Sequence, residues 1–215
     1  MSIVSIVIES ILTPRLIIKT RTKYFDEFHG YVKKKYLEQL IEDPGRIEKI
    51  VREALNDRIF IKYLAILGFE SLRYSEEFLE KMPKVLNELR RKLRSLGENV
   101  GEAVELVIEH DYFKIKNFPE FLGVWLDFIY EYPEDAVEYA KIYIGSLLLL
   151  SALLELLDKG LIKKELINQF TRYAEELDSY TDTFYLMLKR EKITGDKEYI
   201  IINDYGKLED LFKEV

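Results

Sequence analysis

Cysteine is absent from the chain. Disulfides, thiol nucleophiles and cysteine-ligated zinc or iron–sulfur centres are thereby excluded. Histidine is nearly absent, with His29 and His110 the only two. Asp26-x-x-His29 puts two ligand types on one helix face, but a metal site needs three or four ligands. No resident metal and no cofactor is expected. Glycine and proline are scarce, at 10 and 5 residues in 215, which favours long helices over strands and turns. The sequence has no phosphate-binding glycine loop and no GxSxG motif. An enzyme or ligand-binding helical protein is therefore only the third of three functional readings.

Glutamine is scarce too, limited to Gln39 and Gln169, while Lys, Glu, Ile and Tyr abound. That balance fits a thermophile and describes a habitat rather than a function. The formal charge of −7 argues against nucleic-acid binding by charge of the whole chain. The charge is uneven. Glu98 to Glu138 holds eleven acidic residues against Lys114 and Lys116. Lys81 to Arg94 holds six basic residues against Glu88. Solvated helix faces are the ordinary reading of both blocks. Met1 to Leu12 is apolar, but it lacks a basic start and contains Glu9, so it does not read as a leader. A cytoplasmic protein is the default expectation.

The composition otherwise describes a globular chain with a sizeable core, at 48% hydrophobic and 33% charged residues. Fifteen Tyr and 12 Phe argue against long disorder. The organising stretch is Ala136 to Gly160. It has no charge from Ile142 to Leu154, and Leu147 to Leu150 is apolar on every side of a helix. Such a helix is buried all round. A bilayer is the alternative, but it needs roughly 20 apolar residues, and Lys141 and Glu155 leave fewer. The best domain boundary lies near Gly145, giving an N-terminal helical region over 1–144 and a second unit over 145–215.

Before that helix the pattern is helical almost throughout. Ser2 to Lys19 is ambiguous between strand and helix. Tyr24, Phe28, Val32, Tyr36, Leu37, Leu40 and Ile41 form one apolar stripe, which Asp43-Pro44-Gly45 ends. Ile47, Ile50, Val51 and Ala54 form the next, and Asn56-Asp57 caps a third helix from Arg58 to about Phe69. Tyr74 to Leu96 is helical, with a kink or a start at Pro83. Glu98 to His110 follows, then a connector with strand character over Asp111 to Asn117. A helix over Asn117 to Tyr130 has Pro119 in its first turn. Glu98, Glu102, Glu105 and Glu109 share a face and read as a solvated stripe. A di-iron bundle would want Glu-x-x-His, but position 107 is Val. Glu109-His110-Asp111 reads as a polar helix end. The aromatics Phe113, Phe118, Phe121, Trp125, Phe128, Tyr130 and Tyr132 read as core, with Trp125 against the central helix. A ligand pocket or partner groove is the other use for them.

The C-terminal third changes order. A short helix over Lys163 to Phe170 precedes one over Glu175 to Arg190. Lys192 to Asn203 then reads as two strands joined at Gly195-Asp196, and a last short helix carries Leu208, Leu211 and Phe212. The segment LLELLDKGLIKKELINQF resembles the first two helices of a winged-helix domain. LMLKREKITGDKEYIIIND resembles the third helix running into the wing. The resemblance implies a mainly α fold, a helical bundle with a winged-helix-like unit and a small β-hairpin. It also implies nucleic-acid binding, with the third helix in the major groove. That helix presents Asp178, Asp182, Tyr185 and Lys189 outward, and two carboxylates there oppose phosphate. Candidate contacts to nucleic acid or a partner are Tyr185, Lys189, Arg190, Lys192 and Lys197. The separate basic run adds Lys84, Arg90, Arg91 and Arg94. Winged helices also dock proteins, and these residues suit that use better. The leading reading is a non-catalytic scaffold or adaptor with a protein partner, in a nucleic-acid-processing assembly. The alternative is a DNA-binding transcription regulator using the C-terminal winged-helix-like unit, whereas the adaptor reading leaves nucleic-acid binding weak.

Overall fold

The computed structural model describes residues 25–62, 91, 96–116 and 118–194. Helices occupy 92% of these residues and strands none, so the mainly α expectation holds among them. The order is α1 (Phe25–Val32), a π-helical turn (Lys33–Leu37), α2 (Glu38–Glu42), a 3-10 turn (Pro44–Arg46), α3 (Ile47–Leu55), α4 (Glu98–Lys116), α5 (Phe118–Glu131), α6 (Pro133–Asp158) and α7 (Lys164–Thr194). The readings for Ser2–Lys19, the helix around Pro83, the segment 195–203 and the final short helix lie outside the described residues.

Helix α6 forms where its local signals say it should. Pro133 occupies the first turn, where a missing N–H costs nothing, and Glu134 and Asp135 complement the positive end of the helix. At the other end Gly160 has φ of +66°, its N–H donates to Leu157 O, and the Leu161 N–H donates to Leu156 O. This pair of bonds is a Schellman stop, and the glycine accepts the left-handed conformation it requires. Between the two ends every residue from Ile142 to Leu154 is buried, as the all-round apolar pattern demands. By length and composition α6 could also cross a bilayer, since the helix extends beyond the charge-free run. Within this fold 78% of its most apolar window is covered by the chain itself. The covering elements are α7, α3, α2, the π turn and α5.

Gly145 lies in mid-helix, and the buried residues on both sides of it belong to one cluster running from Phe28 to Leu188. Its small size has a packing role. A Cβ added there would lie 2.1 Å from Cε1 of the buried Tyr173 ring on α7. Beside it the Ser146 hydroxyl bonds to Ile142 O at 2.8 Å and reaches across to Tyr173 O at 3.3 Å. The two longest helices therefore approach closely where α6 carries its smallest side chains.

Two sequence expectations are corrected here. Helix α4 continues to Lys116, so Asp111–Asn117 is not a strand-like connector. Its apolar stripe goes on to Phe113, which is buried against Phe121 and Tyr185. The second correction concerns the winged helix. Its second and third helices are one helix, α7, of 31 residues and about 46 Å. Neither glycine nor proline interrupts Lys164 to Thr194, and Leu166, Phe170, Tyr173, Ala174, Leu177, Phe184 and Leu188 keep one stripe buried throughout. Lys192 to Thr194, assigned to the first wing strand, are helical. The β-hairpin is thus unsupported, and the turn that defines a winged helix is missing.

Replacing Gly145 with Ala is expected to destabilise the protein by about 1–3 kcal/mol through overpacking against Tyr173. Combining it with Tyr173→Ala should cost less than the two single changes added together. Urea denaturation of the four forms measures this coupling, and additive costs would show that the close approach does not matter.

Candidate functional site

Two polar clusters lie inside this helical frame, and each has its origin in local sequence. In the first, a regular α-helix would not bring Tyr31 and Tyr36 to one side. Residues five apart on an α-helix lie about 140° around the axis from each other. The π-helical turn over Lys33–Leu37 removes much of that offset, so Tyr31 and Tyr36 reach the same carboxylate. The Tyr31 hydroxyl donates to Asp57 Oδ2 at 2.5 Å, the Tyr36 hydroxyl donates to the same oxygen, and Lys35 Nζ lies 2.6 Å from it. The other oxygen, Oδ1, accepts the Ile59 N–H at 3.0 Å. Asp57 therefore caps the helical stretch 58–62, as the sequence reading expected, and also fastens α1 to it.

The electrostatics follow from this geometry. Burial pushes the Asp57 carboxyl upward, but hydrogen bonds from Lys35, Tyr31, Tyr36 and the Ile59 N–H outweigh it, leaving the group well below the usual carboxylate range. Its bond to Asp57, then Tyr31, holds the Lys35 ammonium well above its ordinary value. Burial and then the Asp57 charge push the Tyr36 phenol upward. None of these shifts makes a nucleophile or base available near neutrality, so the cluster acts as a clamp. The sequence reading found the cap but missed the clamp. The available signal was the five-residue spacing of Tyr31 and Tyr36, which an α-helix does not explain.

The second cluster surrounds His110. Because α4 runs on to Lys116, His110 is not at a helix end. It is fully buried, with Nδ1 2.6 Å from Thr181 Oγ1 on α7 and Nε2 2.8 Å from the Tyr139 hydroxyl on α6. A neutral imidazole, with one N–H and one acceptor nitrogen, satisfies both hydroxyls. The rings of Tyr139, Tyr143 and Phe184 enclose it. Phe113, Phe121 and Phe128 are buried in the same aromatic region, and Trp125 packs 5.0 Å from Tyr139, as expected against the central helix. Tyr130 leaves that core and is 88% exposed, while Tyr132 keeps ring contact with Phe128 at its edge.

The remaining polar candidates have structural partners. His29 Nε2 lies 3.6 Å from Glu155 Oε1 on α6, and Lys33 Nζ lies 2.8 Å from Glu155 Oε2. Lys163 donates to the carbonyls of Ile41 and Glu42, which α2 leaves without intrahelical partners. Of the glutamate row, Glu102 and Glu109 are exposed and Glu105 is half-buried. Among the described residues no three His, Asp or Glu side chains converge as a metal site would need.

On the surface, Asp182, Tyr185 and Lys189 share an exposed face of α7, and Asp178 is half-buried at its start. Burial, and then the charge of Asp182, push the Asp178 carboxyl upward. Arg190 and Lys192 belong to the last turns of α7, and Arg91 is exposed. Lys84, Arg90, Arg94 and Lys197 lie outside the described residues. The more unusual surface is on α5. Phe121, Val124 and Phe128 form its buried side, while Leu126, Ile129 and Tyr130 lie on the opposite side and are 39–88% exposed. At the start of α6 Val137 is 54% exposed, while Tyr132, 48% exposed, packs its ring 5.9 Å from Phe128 on the covered side of α5. A comparison of the chain with known protein families, curated proteins and solved structures finds no match.

The Asp57 clamp makes a pH-dependent prediction. The carboxyl is depressed in the folded state, so its stabilising contribution is complete above the unfolded value of about 4 and declines as pH falls below it. Asp57→Asn should cost about 2 kcal/mol near neutral pH, the scale of hydrogen bonds to a charged group. The gap between wild type and variant should narrow as pH drops from about 4 to about 2. Denaturant titrations across that range test this, and a gap that stays constant would reject the assignment.

Proposed function

We propose that this chain is a non-catalytic helical adaptor that binds a protein partner through the outer side of α5 and the start of α6. One observation carries the reading. A helix that is apolar on all sides is normally covered on all sides, as α6 is from Ile142 to Leu154. Helix α5 is apolar on two opposite sides; the Phe121–Val124–Phe128 side is buried, while Leu126, Ile129 and Tyr130 are 39–88% exposed. Single exposed apolar residues are ordinary, but Leu126, Ile129 and Tyr130 share one side of one helix, an arrangement of the kind that marks an interaction site. The buried polar groups support the same reading, because His110 and Asp57 are bound to partners within the fold.

The alternative of a DNA-binding regulator depended on a winged helix, and α7 runs unbroken through the place where that domain turns. Its exposed face carries Asp182 beside Tyr185 and Lys189. We therefore expect weak, non-specific duplex binding, with Kd on the order of 10⁻⁵ M or weaker at about 0.15 M salt. A salt series with random and genomic duplexes measures it. Tight binding to one sequence, lost on changing Tyr185 and Lys189, would replace the adaptor with a regulator.

The adaptor reading also separates the two sides of α5 energetically. Leu126→Ser and Tyr130→Ser should leave stability within about 0.5 kcal/mol of wild type, while Phe128→Ser should cost about 3 kcal/mol or more. Thermal and denaturant unfolding of the three variants decides it. A large cost at Leu126 or Tyr130 would mean that the fold itself uses this face.

A further inference from the structure

We infer that the partner element seated on the α5–α6 face is a cationic amphipathic helix of another protein. This rests on the protein-binding reading above and adds the chemistry of the occupant. The ridge of Leu126, Ile129 and Tyr130 has the three- and four-residue spacing that takes another helix by interdigitation. The segment that carries it, from α5 into the start of α6, is acidic. No lysine or arginine occurs from Asn117 to Ala140, and Glu131, Glu134, Asp135 and Glu138 are all exposed. The first cation, Lys141, pairs with Glu138 at 2.7 Å. Glu131 ends α5 and adds to the negative end of that helix. The acidic charge also reaches inward to Tyr180, whose phenol is pushed up by burial and then by Asp135 and Glu138.

This pattern selects among occupants. A second copy docking by two-fold symmetry would set the same patch against itself, and both sets of four carboxylates would meet. An anionic lipid surface would meet the same repulsion. A helix with an apolar stripe flanked by lysine or arginine complements both the ridge and the acidic segment that carries it.

The test uses three synthetic peptides of about 18 residues, long enough to form a helix. Each carries leucine on one face, with lysine, glutamine or glutamate on the other. Binding to the full chain is read by calorimetry and by the fluorescence of Trp125, the only tryptophan and a neighbour of Leu126. The lysine peptide should bind at least about tenfold tighter than the glutamine peptide, lose that advantage with salt, and leave the glutamate peptide unbound. Leu126→Ser with Tyr130→Ser should weaken binding about tenfold or more. Circular dichroism checks that the helices persist. Combining Glu131→Gln, Glu134→Gln, Asp135→Asn and Glu138→Gln should erase the preference for lysine over glutamine. Equal binding of the lysine and glutamine peptides, lost in the Leu126 and Tyr130 variant, would overturn the cationic partner and keep a protein-binding face. Binding insensitive to that variant, or no binding at all, would remove both. A concentration-dependent dimer dispersed by Leu126→Ser would make the occupant a second copy and overturn the inference.

Discussion

The buried run from Ile142 to Leu154 sets the terms for everything around it. A helix satisfies its own backbone hydrogen bonds, so what α6 asks of its surroundings is apolar cover on every side. Helices α7, α3, α2 and α5, with the π turn, supply it. One close approach occurs at Gly145 and Ser146, where α6 presents almost no side chain and the Tyr173 ring of α7 fills the space. Each fully covered leucine in the run contributes about 1.5–3 kcal/mol relative to exposure, so the cover is an energetic requirement of the fold.

Apolar cover alone does not orient helices, because dispersion and hydration forces have little directionality. The polar clusters supply direction at two places. His110 ties α4 to both α6 and α7 through hydroxyls far away in sequence. Asp57 ties α1 to the cap of the following helical stretch through two tyrosines and a lysine. Buried groups of this kind are costly when unpaired and specific when paired. They give a structural role to the one of the chain's two histidines that lies in the core.

Helices α5 and α6 make an instructive pair. Both are apolar around most of their circumference, and they are joined by Tyr132 alone. Helix α6 is enclosed and reads as architecture. Helix α5 is enclosed on the side that holds Phe121, Val124 and Phe128, and open on the side that holds Leu126, Ile129 and Tyr130. The exposed side is the one on which the adaptor proposal rests.

Much of the architecture was legible in the residues themselves. Periodicity located the helices, the charge-free stretch located the buried centre, and Asp43-Pro44-Gly45, Asp57 and Gly160 marked stops and caps by local chemistry. Such signals act over one turn of chain and need no partner. The places that misled were those where local preference is weak and packing decides. Lys163–Phe170 and Glu175–Arg190 were two apolar patterns until a common buried stripe joined them into α7. The stretch after His110 had no strong signal until Phe113 was buried against α5 and α7. Convergence of Tyr31 and Tyr36 on Asp57, and of Thr181 and Tyr139 on His110, depends on the relative placement of separate segments. The residue types and the helical periods were set along the chain. Which apolar side of α5 stays open, and which polar groups meet, was decided by how the helices pack, because those contacts join residues that no local spacing relates.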